Sequence, residues 1–324
     1  MKTRKLGING PEVSSIAIGS RIVSDVEGAK EQTIKTLQTA IDRGINFLNT
    51  ADFYGMGLNE LHIGEAIEGR REQVFLSVKT GSMRDPKGRF IGLDCRPKAI
   101  KNFCSYSLTR LGVDVIDLYQ PARVDPNVPI EETVGAIKDL IQEGKVRYLG
   151  LSEANADQLK RAYAVHPVSA LEIEYSLATR FIENEILPTA RQLGVSVVPY
   201  SVLSYGLLSG NMTNQLSEGD FRKAFPRFQG ANLEYNLKLI DILKEMAAQK
   251  GTSAGSLALA WVYQQGEDII PIVGMSRPER VDDNLKALEI EFTASEMNLL
   301  NETFKIGSVK GDRYPAMVQK WAAQ

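Results

Sequence analysis

The chain has 324 residues, 43% hydrophobic and 24% charged, with 38 Lys and Arg against 40 Asp and Glu for a formal charge of −2. This composition excludes extensive disorder, and a balanced charge with no run of one sign argues against nucleic acid or an anionic membrane as the main partner. Two cysteines, Cys95 and Cys104, make neither a disulfide framework nor a zinc spacing. No apolar stretch approaches ~18 residues, and the opening MKTRKLGINGPEVSS lacks the apolar run of a secretory signal, so a soluble protein of the reducing cytoplasm is expected.

Short apolar, β-branched runs bounded by polar turns predict strands at 14–20, 46–50, 74–79, 115–121, 147–153, 170–176, 195–201 and 269–274. After the first of these, EGAKEQTIKTLQTAIDRG (27–44) sets Ile34, Leu37, Ala40 and Ile41 on one helical stripe and stops at Gly44. After the fourth, PIEETVGAIKDLIQEGK (129–145) opens with Pro, aligns Val134, Ile137, Leu140 and Ile141, and ends at Gly144. From the second strand to the seventh, each gap fits one helix and two loops. The gap before the last strand is much longer. It begins with a Gly-, Ser- and Asn-rich loop over 204–236, read as a binding loop or lid, and continues in helical patterns at 236–250 and 253–265. Residues 305–324 read as a tail across one barrel mouth.

Eight strands alternating with helices predict an α/β fold, a (β/α)8 TIM barrel forming one domain over 1–324. An open doubly wound sheet is the rival, but G-x-G-x-x-G is absent: GMG at 55–57 lacks the third Gly and follows the wrong element. In such a barrel the chemistry lies at the carboxyl ends of the strands. Those ends carry Gly19, Ser20 and Arg21; Asn49, Asp52 and Tyr54; Lys79; Arg123 and Asp125; Ser152, Glu153, Glu172 and Glu174; Tyr200 and Ser201; and Gly274, Ser276, Arg277 and Arg280. A lysine closing the run VFLSVK needs a partner if buried. A tyrosine beside that cation can lower its own pKa from ~10 and act as a proton donor.

With NFLNTADFYG (46–55), VFLSVKTG (74–81), DLYQPARVDP (117–126), YLGLSE (148–153), PYSVLSYGLLSG (199–210) and IVGMSRPERVDDN (272–284) in order, nearly the whole chain resembles the aldo-keto reductase family. The resemblance implies a barrel that binds NADP(H) without a Rossmann domain and transfers hydride to an aldehyde or ketone. Of the family's Asp, Tyr, Lys and His tetrad, Tyr54 matches the proton donor and Lys79 the lysine that tunes it. Asn49 stands at the Asp position and Ala122 at the His position, while His62 and His166 are not at strand ends. Asn49 brings no charge, so Lys79 is expected to lose stabilisation, and the missing histidine to cost ~2.7–4 kcal/mol, as for one oxyanion donor. A slow or narrow reductase is expected, improved by Asn49→Asp together with Ala122→His.

The resemblance further implies that Tyr200 stacks on the nicotinamide and that Ser152, Glu153 and Glu172 hold its carboxamide. The last two are Glu where the family usually has Asn and Gln. Ser201, Leu203, Ser204 and Gly206 match the pyrophosphate loop. Ser276 and Arg280, assisted by Arg277, match a 2′-phosphate site that favours NADP over NAD, and Asp283 and Asn284 match adenine contacts. Gly19, Ser20, Arg21 and Gly274 join the cofactor set, and Ala122, Arg123 and Tyr314 the substrate pocket. Glu174 reads as a satisfied interior acid, and Tyr314 and Trp321 as tail packing or substrate wall. No metal is expected; the partner is a small-molecule carbonyl compound, and the protein a monomer or small homo-oligomer. The rival function is an NADP(H)-binding protein with little turnover, a redox-responsive partner of something else.

Overall fold

The computed structural model describes residues 1–19 and 28–323. The chain opens with a hairpin of β1 (Thr3–Lys5) and β2 (Glu12–Ser14), then enters the barrel through β3 (Ala17–Gly19), α1 (Ala29–Asp42), β4 (Phe47–Ala51) and α2 (Leu58–Ala66). Next come β5 (Phe75–Thr80), a second hairpin of β6 (Ser82–Arg84) and β7 (Phe90–Leu93), and α3 (Pro97–Leu111). The units β8 (Ile116–Pro121) with α4 (Ile130–Gln142), β9 (Val146–Ser152) with α5 (Ala156–Val165), and β10 (Val168–Glu174) with α6 (Ile186–Leu193) follow. The last part holds β11 (Ser196–Tyr200), α7 (Gly230–Gln249), α8 (Ala254–Tyr263), β12 (Ile272–Gly274), α9 (Glu279–Ala287), α10 (Ala294–Thr303) and α11 (Ala316–Gln319).

Eight parallel strands run in the order β11-β10-β9-β8-β5-β4-β3-β12. The two ends meet where Val197 of β11 donates to Asp268 and accepts from Ile270, 2.9 Å each, just before β12 begins. The predicted strand at 269–274 is therefore divided: its first residues pair with β11 and its last three with β3. This is a (β/α)8 TIM barrel. The expected helix stop at Gly44 is observed, with φ of +83°, a conformation that costs an L side chain about 1–2 kcal/mol.

Side chains alternate across each strand, so residues two apart share a face. Phe47, Phe75, Leu118, Ala170 and Val198 point inward as one apolar layer, closed below by Leu6 and Val13 from the two sides of the first hairpin, both fully buried. The outward set, including Leu48, Leu76, Val78, Leu149 and Ile173, packs against the helices in the larger core. Continuing the inward series gives Asn49, Ser77, Lys79, Gln120 and Glu172. The same alternation that builds the core thus delivers polar groups above it.

Three features depart from the predicted elements. Both hairpins were missed, because strands of three or four residues carry too little alternation to register. The helix α7 begins at Gly230, inside the predicted 204–236 loop; its buried stripe of Leu233, Asn236 and Ile240 includes an asparagine, which blurs the period. Asn236 donates to the carbonyls of Arg227 and Lys310, 3.0 and 2.9 Å, and so ties the loop to the tail.

Candidate active site

A cavity of about 690 Å³ opens at the carboxyl ends of the strands. Asn49, Tyr54, Lys79, Ala122, Glu172 and Tyr200 share its wall. Tyr54 is brought there by the turn after β4, in which Gly55, Met56 and Gly57 all take positive φ. The Lys79 ammonium lies 5.4 Å from the Tyr54 ring centroid. The sequence-derived pair therefore shares one cavity.

Lys79 is 5% exposed, and its ammonium is fully engaged. It donates to Asn49 Oδ1 at 2.5 Å and forms an ion pair with Glu172 Oε1 at 3.0 Å. Glu172 Oε2 in turn accepts from Asn49 Nδ2 at 2.8 Å and Gln120 Nε2 at 2.7 Å, while Ser77 Oγ accepts from the same two amides at 3.2 and 3.1 Å. This corrects two expectations. Lys79 keeps a carboxylate, supplied from β10 across the barrel instead of from β4. Glu172 is committed to that ammonium and its flanking amides, so it is not the free carboxamide acceptor anticipated. The signal was present in the sequence: an Asn at the usual Asp position and a Glu at the usual Gln position together conserve one charge and one amide.

Glu153 is corrected in the same way. Its Oε1 accepts from the Glu174 backbone at 3.0 Å and the Tyr200 hydroxyl at 2.9 Å, and its Oε2 from Arg313 at 3.1 Å and the Ala323 backbone at 3.0 Å. Burial opposes its charge, but Arg313 and then Arg123 outweigh it and hold the carboxyl below its usual range. Glu153 therefore anchors the tail. Glu174 is also satisfied, taking the Thr179 hydroxyl at 2.8 Å and lying 3.5 and 3.4 Å from Arg227 and Arg313. Sequence reasoning missed Arg227 and Arg313, which reach this cluster from segments with no strand or helix period.

The tail also supplies Tyr314, Val318 and Trp321 to the cavity wall, where Trp321 packs edge-on against Phe90 with ring centroids 6.2 Å apart. Tyr314 shares a 2.6 Å hydrogen bond with Tyr200. Burial pushes both hydroxyls well above the ordinary phenol value, so neither is an acid near neutral pH. Ala122 is buried, with no histidine beside it: His62 lies on α2, and His166 precedes β10 at the opposite end of the barrel. Arg123 lines the cavity next to it.

Of the remaining sequence-derived residues, Gly19, Ser152, Ser201, Leu203, Gly206 and Gly274 line the same cavity. Ser152 Oγ is buried without a hydrogen-bond partner, an unmet donor in this wall. Glu153, Ser201, Ser204 and Tyr205 all have positive φ, costly for non-glycine residues, and all follow the ends of β9 and β11. Ser204 is buried, and its hydroxyl is taken by Arg227 at 3.0 Å, so it does not reach the cavity. Ser276, Arg277, Arg280 and Asp283 are exposed around the start of α9, beyond Gly274, and Asn284 donates to the Arg280 carbonyl at 2.8 Å. Ser20 and Arg21 lie outside the described residues. No helix among the described residues is long and apolar enough to cross a membrane.

The model of the Aldo/keto reductase family matches residues 15–305. A probable aldo-keto reductase 1 from Glycine max is 40% identical over 317 residues, covering 96% of this chain and 91% of its own. Among solved structures, a glycerol dehydrogenase from Gluconobacter oxydans aligns with a TM-score of 0.85 at 29% identity, covering 93% of this chain and 94% of its own. An aldo-keto reductase from Bacillus halodurans, in its holo form, aligns at 0.78 and 30%, covering 94% and 96%. With a family match across nearly the whole barrel, and a tyrosine and a charge-paired lysine in the cavity at its carboxyl end, the chain belongs to the aldo/keto reductase family.

Proposed function

We propose that the protein is an NADP(H)-dependent reductase of aldehydes or ketones, with Tyr54 as proton donor and Lys79 as the cation that tunes it. The observation that carries this reading is the buried Lys79–Glu172 pair in the cavity that Tyr54 shares. Desolvating two ions costs several kcal/mol. A chain that needed only a folded barrel would be as stable with apolar residues at both positions.

The residues suit a nicotinamide dinucleotide. Ser152 offers an unmet hydroxyl, Tyr200 an aromatic wall, and the backbone of Ser201, Leu203 and Gly206 a concave turn of the kind that binds phosphates. Arg277, Arg280 and Ser276 would meet a 2′-phosphate, and Asp283 and Asn284 the adenine. When bound, the reduced cofactor supplies a hydride to the carbonyl carbon. Tyr54 delivers a proton to the carbonyl oxygen, and the Lys79 ammonium favours the negative charge left on the phenol oxygen. Glu172 and Asn49 hold that ammonium in place. At Ala122 the oxygen finds no side-chain donor, so polarisation rests on Tyr54 and on water in the space above the methyl group.

That gap favours the second reading, an NADP(H)-binding protein with little turnover. The two are separated by NADPH consumption with an activated aromatic aldehyde and a vicinal diketone, after fluorescence titration establishes cofactor binding to wild type and Tyr54→Phe. Turnover that falls by about 10²–10⁴ in Tyr54→Phe supports the reductase. Tight NADPH binding without turnover in the wild type supports the second reading, and turnover that survives Tyr54→Phe removes the assigned proton donor.

A further inference from the structure

We propose that the Arg123 guanidinium is a subsite for the carboxylate of an oxo acid, so that the favoured carbonyl substrate of this site is an anion with an apolar or aromatic remainder. The proposal rests on the reductase reading and names its substrate class.

The argument begins with how the neighbouring cations are matched. Lys79 faces Glu172, while Arg227 and Arg313 face Glu174 and Glu153. Arg123 is different. Among the described residues it forms no ion pair, and its one hydrogen bond runs from Nη1 to the carbonyl of Ala122 at 2.6 Å. A guanidinium has five N–H donors in a fixed fork, so most of this one remains available to the cavity it lines. The nearby carboxylates are already committed. Glu153 is close enough to be felt electrostatically, yet both of its oxygens are taken. Asp125, two residues on, accepts from the backbones of Asn127 and Cys95 at 2.9 and 3.2 Å. The other polar neighbours, Tyr200, Tyr205 and Tyr314, are neutral phenols.

A half-buried guanidinium without a carboxylate is an incomplete arrangement. Burial disfavours its charge, but the negative charge of Glu153 nearby outweighs it and keeps the guanidinium protonated. Among the described residues at the ends of β5, β8, β9 and β10, Arg123 is the cation without a carboxylate, which leaves room for one negative charge and fits a carboxylate better than a phosphate dianion. A planar carboxylate also suits a guanidinium fork. Ala122, the lining residue just before Arg123, is small and leaves the cavity there open. The same cavity carries an aromatic wall of Phe53, Phe90 and Trp321, with Arg84 lying over the two phenylalanine rings, 4.8 and 5.5 Å from their centroids. A carboxylate on Arg123 and an apolar remainder against that wall place the carbonyl between them, in the part of the cavity that holds Tyr54.

The test uses benzoylformate and its methyl ester, which differ in the anion but share the ring and the ketone. Rates of NADPH oxidation are measured for wild type and Arg123→Gln. The expected result is a wild-type kcat/KM about ten- to a hundredfold higher for the acid, carried mainly by KM, and a preference that is lost in Arg123→Gln because the acid falls far more than the ester. Equal use of acid and ester by the wild type, or a parallel loss of both in the variant, overturns the proposal; the parallel loss would make Arg123 a general support of the site. Isothermal titration of both compounds, with and without NADP⁺, separates this from failure of the reductase reading. If neither compound is reduced, tighter binding of the acid that is lost in Arg123→Gln still supports the subsite, and equal or absent binding of the acid overturns it. NADP⁺ affinity measured alongside should not move in Arg123→Gln, and a large loss would reassign the guanidinium to the cofactor.

Discussion

Two places in this barrel depart from the family's pattern of polar residues, and the structure treats them differently. Around Lys79 the carboxylate is missing from β4, yet Glu172 on β10 supplies one, and Asn49 and Gln120 complete its hydrogen bonds. At the end of β8 the position expected to polarise the carbonyl is Ala122, and among the described residues no histidine stands beside it. The contrast follows from the kinds of interaction. An ammonium is a compact charge with rotatable donors and takes a carboxylate from any side, so the partner can change strands. A donor to the carbonyl oxygen must stand at one point relative to the reacting carbon, so it is exchanged between strand ends far less freely.

The sharpest break of this comparison is Glu172→Gln. It leaves the Lys79 ammonium buried with amides alone, a change expected to cost about 3–5 kcal/mol of stability. Turnover is expected to fall by about 10² or more, with NADPH binding retained. Adding Asn49→Asp in that background moves the carboxylate back to β4 and should return most of the activity and the thermal midpoint. A Glu172→Gln protein with unchanged kcat and pH profile would show the pair to be structural only.

Asn49→Asp alone is the next largest effect, and its sign reverses the expectation drawn from sequence. A second carboxylate would face Glu172 across one ammonium, and the Asn49 Nδ2 donor to Glu172 would be lost. One of the two acids should then stay protonated well above its ordinary range. A loss of about 2 kcal/mol is expected, read as a lower urea midpoint, with less turnover rather than more. Ala122→His, by contrast, should raise kcat for neutral aldehydes by about tenfold, in part recovering what one oxyanion donor supplies. A gain from Asn49→Asp, or none from Ala122→His with NADPH binding intact, would undo the contrast.

The same two regions mark what could be read from residues alone. Strand runs such as VFLSVK were legible because composition and length are local properties, and the barrel topology then placed Tyr54 and Lys79 at one rim. The Glu172 exchange was legible in principle, since two departures on different strands summed to no change in charge. The tail was not. Arg313 meets Glu153 across 160 positions of sequence, and nothing local to GDRYP signals a buried arginine. The hairpin of β6 and β7 failed for a related reason, because its short strands satisfy each other and leave no long apolar face.

The last expected effect concerns Asp52, three residues beyond Asn49 and hydrogen-bonded to the backbone of Lys79. Its Oδ2 accepts from Thr80 at 2.6 Å, and its backbone donates to the Lys79 carbonyl at 2.9 Å, so the side chain engages a neighbour of the lysine and not its ammonium. Burial, opposed by the Thr80 hydrogen bond and reinforced by Glu60, pushes its carboxyl up to about 7. The fold therefore prefers Asp52 neutral, while the unfolded chain ionises it near 4. With the native value raised, the unfolded chain binds fewer protons between these two limits. The contribution is complete below about pH 4, declines as pH rises, and is gone above about 7. Urea midpoints between pH 4.5 and 8 should show a fall on the order of 3 kcal/mol that Asp52→Asn removes, since an amide keeps the Thr80 contact without a charge to bury. If the fall persists unchanged in Asp52→Asn, the acid responsible is another buried carboxyl and the assignment to Asp52 fails.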